Sequence, residues 1–418
     1  MSRRKSVIGT VMLSCLVLLA LSVSAFGQGM MRIARPMDGA TVREVVNVLV
    51  PASAVPEGGF ITCIVDGRYQ CATGDLSEDG RYYVYRWDTK AVEVSPETGE
   101  IKGRPKDGKH VIIVQAYGLD GKKTGQAAQV TVYVKNDASA DMPSSGLKLR
   151  YKSVPGSASR YHFKYLENIK SVEGATGLAK AIGDSVEGAE GVVTRSIEDK
   201  VYGDSVLVRQ KLSKDLSFYY AGTQIPQPNL LIKSEYHVED STGHVTYVMP
   251  SSSPGVPIGV DMPILPSKAV KIGDSWVEPM KVFKYALTGE SAKLNATSTL
   301  EGLEWEGGEP CAKIKTQFSG TVRLPYVTLV RRPLSITGEA TTYFAYRTGK
   351  LISFSVRATA EPEIGSQVLN TWFQQIMTAR NAAGSDVSAA PPAQATSGSG
   401  DQTVKVKMEF TQLLELVR

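Results

Sequence analysis

The sequence predicts a mainly β protein built from antiparallel sheets. Short runs rich in Val, Ile and Tyr place apolar side chains at every second position, which is the period of a strand with one buried face. Gly, Pro and Asp-Gly pairs separate these runs and suit tight turns. Two segments in the C-terminal part of the chain depart from this pattern and predict helices.

The N-terminal residues have the pattern of a secretory signal peptide. Basic residues 3–5 precede the apolar run "VIGTVMLSCLVLLALSVSAF", and small residues suit cleavage after Ala25 or Gly27. We therefore exclude residues 1–27 from the fold and predict a secreted or periplasmic protein. Two alternatives stay open: a membrane anchor, because the run has the length of a span, and a lipid anchor on Cys15.

Charge and length limit the classes of partner and the architecture. Removal of residues 1–27, which include the basic residues 3–5, lowers the net charge from +5 to about +2. The chain has no basic block interleaved with aromatic residues, so we predict no nucleic-acid partner. The roughly 390 remaining residues exceed what one core usually serves, which predicts two or more domains. No later stretch is apolar enough to predict a transmembrane segment in the mature chain.

Residues 31–137 predict an antiparallel sandwich of about seven short strands. The entry "IARPMDGATV", the middle strand "FITCIVDG" and the pair "DGKHVIIVQAYGLDGKKTG" and "QVTVYVKN" resemble the bacterial immunoglobulin-like domains of exported proteins. The resemblance implies an immunoglobulin-like β-sandwich. It implies little about activity, because such sandwiches serve as spacers, adhesion modules and rigid neighbours of other domains.

Cys63 and Cys71 flank an Asp-Gly turn in "ITCIVDGRYQC". An exported chain meets an oxidising environment, and a hairpin turning at "VDGR" would place the two thiols opposite each other, so we predict a disulfide between them. A zinc site would need two more ligands, and His110 stands alone nearby. A catalytic redox pair would normally be Cys-x-x-Cys. We predict that Cys311 is a buried thiol.

Residues 138–146 are polar and predict a linker, and residues 147–418 predict a larger antiparallel domain. The stretch "GLAKAIGDSVEGAEG" predicts a short helix. The spacing of apolar residues from Ile364 to Met377 predicts an amphipathic helix. Residues 382–402 lack bulky apolar side chains and predict a disordered insertion, after which "VKVKMEFTQLLELV" predicts a terminal strand that returns to the sheet.

Two short segments of this larger domain, "LRYKSVPG" and "PILPSKAVKIGDSW", resemble framing motifs of uncharacterised exported bacterial β-rich domains. The resemblance implies no activity. Curved antiparallel sheets around one helix occur in envelope lipoprotein carriers, so a half-barrel with an apolar groove is an open alternative by analogy of fold. Such a groove would be lined by the apolar stripe of the predicted helix, namely Trp372, Phe373, Ile376 and Met377. Packing into a core is the competing interpretation of that stripe.

The triplet Gly-Asp-Ser occurs three times and ends at Ser185, Ser205 and Ser275. A family of secreted esterases uses such a serine, with an Asp-x-x-His pair near the C-terminus as base and orienting acid. The histidines after the linker are His162, His237 and His244, and none of them has Asp three residues before it. We therefore interpret each triplet as a turn into a strand and predict no catalytic residues.

His237 and His244 share a predicted hairpin with Glu235, Glu239 and Asp240. These groups could bind a metal weakly, but the intervening turn favours solvated hairpin ends. No phosphate loop, calcium loop or dinucleotide fingerprint is present, and we predict neither metal nor cofactor.

The leading hypothesis is a non-enzymatic protein of the cell envelope that acts as a binding or scaffolding module. Its partner would be a protein, glycan or lipid of the envelope. A carrier of an apolar ligand or lipid is the second hypothesis, and a secreted hydrolase that uses one of the three serines is the third. A pocket of several hundred Å³ under the predicted helix would favour the carrier, whereas a filled core would favour the scaffold.

Overall fold

The structure, a computed structural model, describes residues 30–94, 101–173, 186–213, 216–220, 223–225, 234–249, 260–282, 292–322, 334–365 and 403–418. The chain divides between Asp137 and Ala138 into a first and a second unit. Both are built from strands in mostly antiparallel sheets, which confirms the predicted fold class. Helical segments in the described ranges are short 3-10 turns, Ala52–Ala54 and Ser139–Asp141. No helix in those ranges is long and apolar enough to cross a membrane.

The described residues of the first unit form nine strands. They are β1 (Ala40–Val42), β2 (Val45–Pro51), β3 (Phe60–Val65), β4 (Arg68–Thr73), β5 (Tyr82–Asp88), β6 (Glu93–Val94), β7 (Ile101–Gly103), β8 (Gly108–Tyr117) and β9 (Lys123–Val134). A five-stranded sheet has the order β1-β9-β8-β3-β4, and two-stranded sheets pair β2 with β5 and β6 with β7. The β1–β9 pair is parallel.

The core of the first unit lies between the β2–β5 pair and the five-stranded sheet. Val48 and Trp87 come from the pair, and Ile61, Ile112 and Val132 come from the sheet. Each is a residue whose strand neighbours face away from the core, because side chains on a strand alternate between the two faces. This arrangement confirms the predicted sandwich.

In the described ranges of the second unit, fourteen strands form one antiparallel sheet. They are β10 (Ala158–Glu173), β11 (Val186–Tyr202), β12 (Ser205–Leu212), β13 (Ser217–Tyr220), β14 (Thr223–Ile225), β15 (Glu235–Glu239), β16 (Val245–Val248), β17 (Ser275–Val282), β18 (Ala292–Glu306), β19 (Glu309–Val322), β20 (Leu334–Ala345), β21 (Lys350–Ala360), β22 (Glu363–Gly365) and β23 (Thr403–Leu416). The main path runs β16-β15-β12-β11-β10-β23-β21-β20-β19-β18-β17. Among the described strands the sheet is open, with β16 and β17 at its ends.

The predicted terminal strand is present as β23 and lies in the middle of the sheet. It pairs with β10 on one side and with β21 on the other. Its inward side chains Val406, Met408, Phe410 and Leu414 are fully buried. The C-terminal strand therefore joins the two halves of the sheet and contributes to the centre of the core.

One face of the sheet carries the core of the second unit. Phe344 and Phe410 are fully buried there, and Leu149 and Leu265 pack on them from two segments outside the sheet. These segments hydrogen-bond to each other through the backbones of Leu147 and Val270, at 2.8 and 2.9 Å. The segments thus cover part of the apolar face.

The predicted linker is packed against the second unit rather than extended. Ala138 is buried, and its N–H donates to the carbonyl of Leu303 at 2.9 Å. The Asp141 carboxylate accepts hydrogen bonds from the Tyr346 hydroxyl and the Arg347 guanidinium, at 2.9 and 2.6 Å. Small polar residues lack apolar bulk, but their backbone and carboxylate groups can still be held by a neighbouring surface.

The first helix prediction is wrong where the structure describes it, because residues 186–191 belong to strand β11. A Cβ at Gly188 would lie 2.0 Å from the carbonyl oxygen of Tyr165, and one at Gly191 would lie 2.8 Å from Leu216. These glycines permit close contacts within the sheet. The second predicted helix begins at Ile364, which lies in β22. Its remainder, the insertion 382–402 and the leader 1–27 lie outside the described residues.

Candidate functional site

A group of charged and polar side chains is buried at one end of the second unit's sheet. Strand β15 directs Glu235, His237 and Glu239 inward, while its alternate residues are only partly buried. Arg195 on β11 and Gln210 on β12 are buried on the same face. We call these five residues the ionic cluster. Register explains their proximity, because Arg195 is opposite Gln210 and Gln210 is opposite Glu235.

An ion pair between Arg195 and Glu239 lies at the centre of the ionic cluster. The Arg195 guanidinium donates to the Glu239 carboxylate, and the two side chains are only 7% and 1% exposed. His237 Nε2 lies 3.2 Å from Glu239 Oε2, and His237 Nδ1 lies 3.9 Å from Glu235 Oε1. Burying ions is costly, and mutual attraction compensates for it only when each charge has a close partner.

The chain segment that begins at Val260 covers the ionic cluster. The Gln210 side-chain amide donates to the Val260 carbonyl at 2.8 Å and accepts from the Val260 N–H at 2.7 Å. The Tyr151 hydroxyl donates to the carbonyl of Pro263 at 2.9 Å. Burial raises the pKa of Tyr151 and of Tyr161, so both phenols stay neutral near pH 7. The side chains of the ionic cluster are thus buried and come from three adjacent strands, β11, β12 and β15.

The prediction of solvated hairpin ends is wrong for Glu235, His237 and Glu239. The turn itself is confirmed, since Asp240 Oδ1 accepts from the N–H groups of Thr242 and His244. Alternation along "EYHVE" gives two faces but does not say which one meets the core. Within the described ranges, no three His, Cys, Asp or Glu side chains are placed to hold a metal ion.

A small cavity lies on the inner face of the sheet. Its volume is about 30 Å³, and its lining includes Leu265, Met280, Phe354 and the hydroxyls of Ser298 and Thr316. Those two hydroxyl oxygens lie 2.8 Å apart. A cavity of this size holds one or two water molecules, whereas a lipid needs several hundred Å³. Trp372, Phe373, Ile376 and Met377, predicted to line an apolar groove, lie outside the described residues.

The opposite face of the sheet carries a much larger groove, which we call the outer groove. It has a volume of about 460 Å³ and crosses β10, β23, β21 and β20. Most of its lining residues have polar side chains, and Val356 and Leu413 add apolar surface. The lining residues are Lys164, Glu339, Thr341, Ser355, Val356, Arg357, Thr411, Gln412 and Leu413.

The charges in the outer groove differ in how they are paired. Lys164 lies 3.0 Å from Glu190, and Glu339 lies 3.5 Å from Lys315. Arg357 is exposed and sits between Glu339 and Thr411 in register. In the part of the chain that the structure describes, no carboxylate lies within ion-pair distance of Arg357. Its guanidinium can therefore donate hydrogen bonds to an acceptor group of a ligand.

The two described Gly-Asp-Ser triplets form turns into strands, as predicted. Ser205 begins β12, and the preceding Asp204 accepts a hydrogen bond from Ser241, which lowers the pKa of the Asp204 carboxyl. Ser275 begins β17, and its hydroxyl lies 2.8 Å from that of Thr299. Neither serine hydroxyl hydrogen-bonds to a histidine of the described ranges. Ser185 lies outside them.

Cys63 and Cys71 lie directly opposite each other on β3 and β4, where the sequence placed them. The turn has two residues, Asp66 and Gly67, with φ of +50° and +76°, as in the I′ turns that match strand twist. A two-residue turn alone would align Cys63 with Gln70. The bulge at Gln70 shifts the register by one residue and brings Cys71 opposite. Both are thiols in this structure, and the disulfide stays a prediction.

Arg195 and Gln210 were not predicted as site residues from the sequence. A signal was available for the arginine, because "VTRSI" places Arg195 between Val193 and Ile197 on the apolar face of an alternating strand. A charged residue in the apolar phase of a strand predicts a buried partner of opposite charge. Gln210 has the same position between Val208 and Leu212. Cys311 is fully buried, as predicted.

No protein-family model and no curated protein matches this chain. Among solved structures, it is similar to the fibronectin(III)-like modules of Clostridium thermocellum CbhA. The similarity has 19% sequence identity and a TM-score of 0.17, and covers 25% of this chain and 96% of that one.

Proposed function

We propose that this protein is an exported, non-enzymatic component of the cell envelope that binds a polar partner in the outer groove. The observation that carries the proposal is the groove itself, which has a volume of about 460 Å³ and crosses four strands with polar side chains from each of them. Grooves of this volume are in the range that accommodates ligands. The first unit would act as a rigid neighbouring module.

The chemistry of the outer groove indicates the kind of partner. Arg357 presents a planar guanidinium that can donate two parallel hydrogen bonds to a carboxylate or phosphate. The hydroxyls of Thr341, Ser355 and Thr411 lie beside it and can both donate and accept. A polar segment with an anionic group, from a glycan or a protein of the envelope, complements this surface.

Three further observations support a binding role over the alternatives. The described Gly-Asp-Ser triplets form turns whose serines begin β12 and β17, and the side chains of the ionic cluster are buried. The inner cavity of about 30 Å³ is too small for a lipid. The N-terminal leader pattern supports export, and the Cys63–Cys71 pair would suit an oxidising compartment as a disulfide.

The binding proposal is tested by co-sedimentation of the protein, purified without its leader, with insoluble cell-wall material and with membrane vesicles from the same cells. We expect saturable binding that Arg357→Gln weakens about tenfold, because a charged hydrogen bond contributes about 1.5–3 kcal/mol. Lys211→Gln is the matched control, since Lys211 is exposed on β12 and the charge change is the same. Equal binding by the two variants, or no binding by the unmodified protein, would contradict the proposal.

Export is tested separately by N-terminal mass analysis of the protein recovered from fractionated cells. We expect the envelope fraction to contain a chain cleaved after Ala25 or Gly27. An intact N-terminus in the cytoplasmic fraction would rule out this part of the proposal.

A further inference from the structure

The hairpin of β3 and β4 holds two thiols in an asymmetric arrangement. Cys63 and Cys71 are cross-strand partners, and β4 is an edge strand of the five-stranded sheet. Cys63 has no exposed surface and lies between the buried residues Ile61 and Val65. Cys71 is only partly buried. A reagent in solution can therefore reach Cys71 and cannot reach Cys63.

The hairpin is also held firmly at its turn. Asp66 Oδ1 accepts from the N–H of Val111 at 2.8 Å, and Asp66 Oδ2 lies 2.7 Å from Nδ1 of the buried His110. The Asp66 N–H donates to the carbonyl of Val111 at 2.9 Å. These contacts hold the turn against β8, while the pairing of β3 with β4 keeps the two thiols opposite each other.

The two thiols differ in acidity as well as access. The interaction with the neighbouring thiol lowers the pKa of Cys71 and raises that of Cys63. Burial adds to the rise at Cys63. The thiolate is the nucleophile in disulfide exchange, so acidity and access favour the same residue.

We propose that Cys63 and Cys71 form a thiol–disulfide exchange couple, in which Cys71 reacts first with a disulfide-bearing oxidant and Cys63 resolves the product. This goes beyond the binding role of the outer groove and does not depend on it. The ordered use of two thiols also goes beyond a structural crosslink, because it assigns a separate task to each cysteine.

The exchange balances in two steps. The Cys71 thiolate attacks one sulfur of the oxidant R–S–S–R, which forms a Cys71–S–S–R bond and releases R–S⁻. Cys63 then loses its proton, which the departing thiolate takes up, and attacks the Cys71 sulfur. This forms the Cys63–Cys71 bond and releases the second R–S⁻. The two cysteines lose two electrons and two protons, and the oxidant gains them as two thiols.

The order of reaction is tested on the full chain with excess oxidised glutathione, followed by quenching and peptide mass mapping of each cysteine. We expect Cys63→Ser to accumulate a stable glutathione adduct at Cys71. We expect Cys71→Ser to leave Cys63 as unreactive as the buried Cys311. The unmodified protein should form the internal disulfide without accumulating the adduct.

Three results would overturn the proposal: adduct formation at Cys63 in Cys71→Ser as fast as at Cys71 in Cys63→Ser, no adduct in Cys63→Ser, or a lasting Cys71 adduct in the unmodified protein. A measurement without substitutions guards against misfolded variants. Brief treatment of the native reduced chain with iodoacetamide should alkylate Cys71 at least tenfold faster than Cys63 or Cys311. Equal rates would also refute the proposed order.

Discussion

The interiors of the two units solve the problem of buried polar groups in different ways. Among the described residues of the first unit, the buried Thr89 and Asn136 are neutral and bond to each other and to backbone groups, and the buried His110 meets the exposed carboxylate of Asp66. In the second unit, an arginine, two glutamates and a histidine are buried together. A neutral network can lose one member at moderate cost, whereas a buried ion depends on its partner.

The largest expected effect comes from breaking the ionic cluster. Glu239→Ala removes the partner of Arg195 and leaves a charge that is 7% exposed, so we expect the second unit to lose about 3–5 kcal/mol of unfolding free energy. Urea unfolding followed by peptide-resolved hydrogen exchange would measure each unit separately. A loss below about 1 kcal/mol would mean that the ion pair does not distinguish the two interiors.

A smaller effect is expected from the neutral network. The Asn136 side chain accepts from the N–H of Glu44 at 2.8 Å and donates to the Thr89 hydroxyl at 2.9 Å. Asn136→Ala leaves both partners without it, and we expect the first unit to lose about 1–3 kcal/mol. Asn47→Ala is the control, because Asn47 is exposed on β2 and should change stability by less than about 0.5 kcal/mol.

If Asn136→Ala destabilised the first unit as strongly as Glu239→Ala destabilises the second, the contrast between neutral and ionic interiors would be lost. The same hydrogen-exchange experiment reports both values. It therefore compares the units under one condition.

The turn between Cys63 and Cys71 allows a prediction about the stability of the first unit. Gly67 has φ of +76°, and a Cβ there would meet nothing within 4 Å. Gly67→Ala therefore costs only the backbone strain of the left-handed region, about 1–2 kcal/mol. A Cβ at Gly74 would also meet nothing within 4 Å, but Gly74 does not have a positive φ. Gly74→Ala should therefore leave the stability of the first unit nearly unchanged. Equal denaturation midpoints for the two variants would contradict the strain argument.

The smallest effect on stability is expected from an exposed ion pair between β11 and β12, the strands that carry Arg195 and Gln210. Glu198 on β11 lies 2.9 Å from Arg209 on β12, and both side chains are about a third exposed or more. Glu198→Ala should cost about 0.2–1 kcal/mol, because solvent screens an exposed pair. Compared with Glu239→Ala, it isolates the contribution of burial. A cost equal to that of Glu239→Ala would remove burial as the explanation.

Much of the fold could be predicted from local patterns, because alternation and turn residues act over a few positions. The sandwich, the turns at the described Gly-Asp-Ser triplets, the return of β23 to the sheet and the pairing of Cys63 with Cys71 were predicted in this way. The short helix was wrong over residues 186–191, because glycines that weaken a helix also allow close contacts between strands.

The candidate site was harder to predict than the fold. The outer groove is formed by residues from β10, β20, β21 and β23, which are far apart in the chain. No short motif links Lys164, Arg357 and Thr411. Only the order of the strands brings them together, and that order depends on β23 lying between β10 and β21.

Local patterns were enough to predict that the chain forms strands, where many of them turn, and that Cys63 and Cys71 lie opposite each other in a hairpin. Only the packed sheet shows which face of "EYHVE" is buried, that Arg195 pairs with Glu239, and that β23 lies at the centre of the sheet. Strand character and turns arise from neighbours in the chain. Facing and strand order depend instead on which distant apolar surfaces and charges can be buried together.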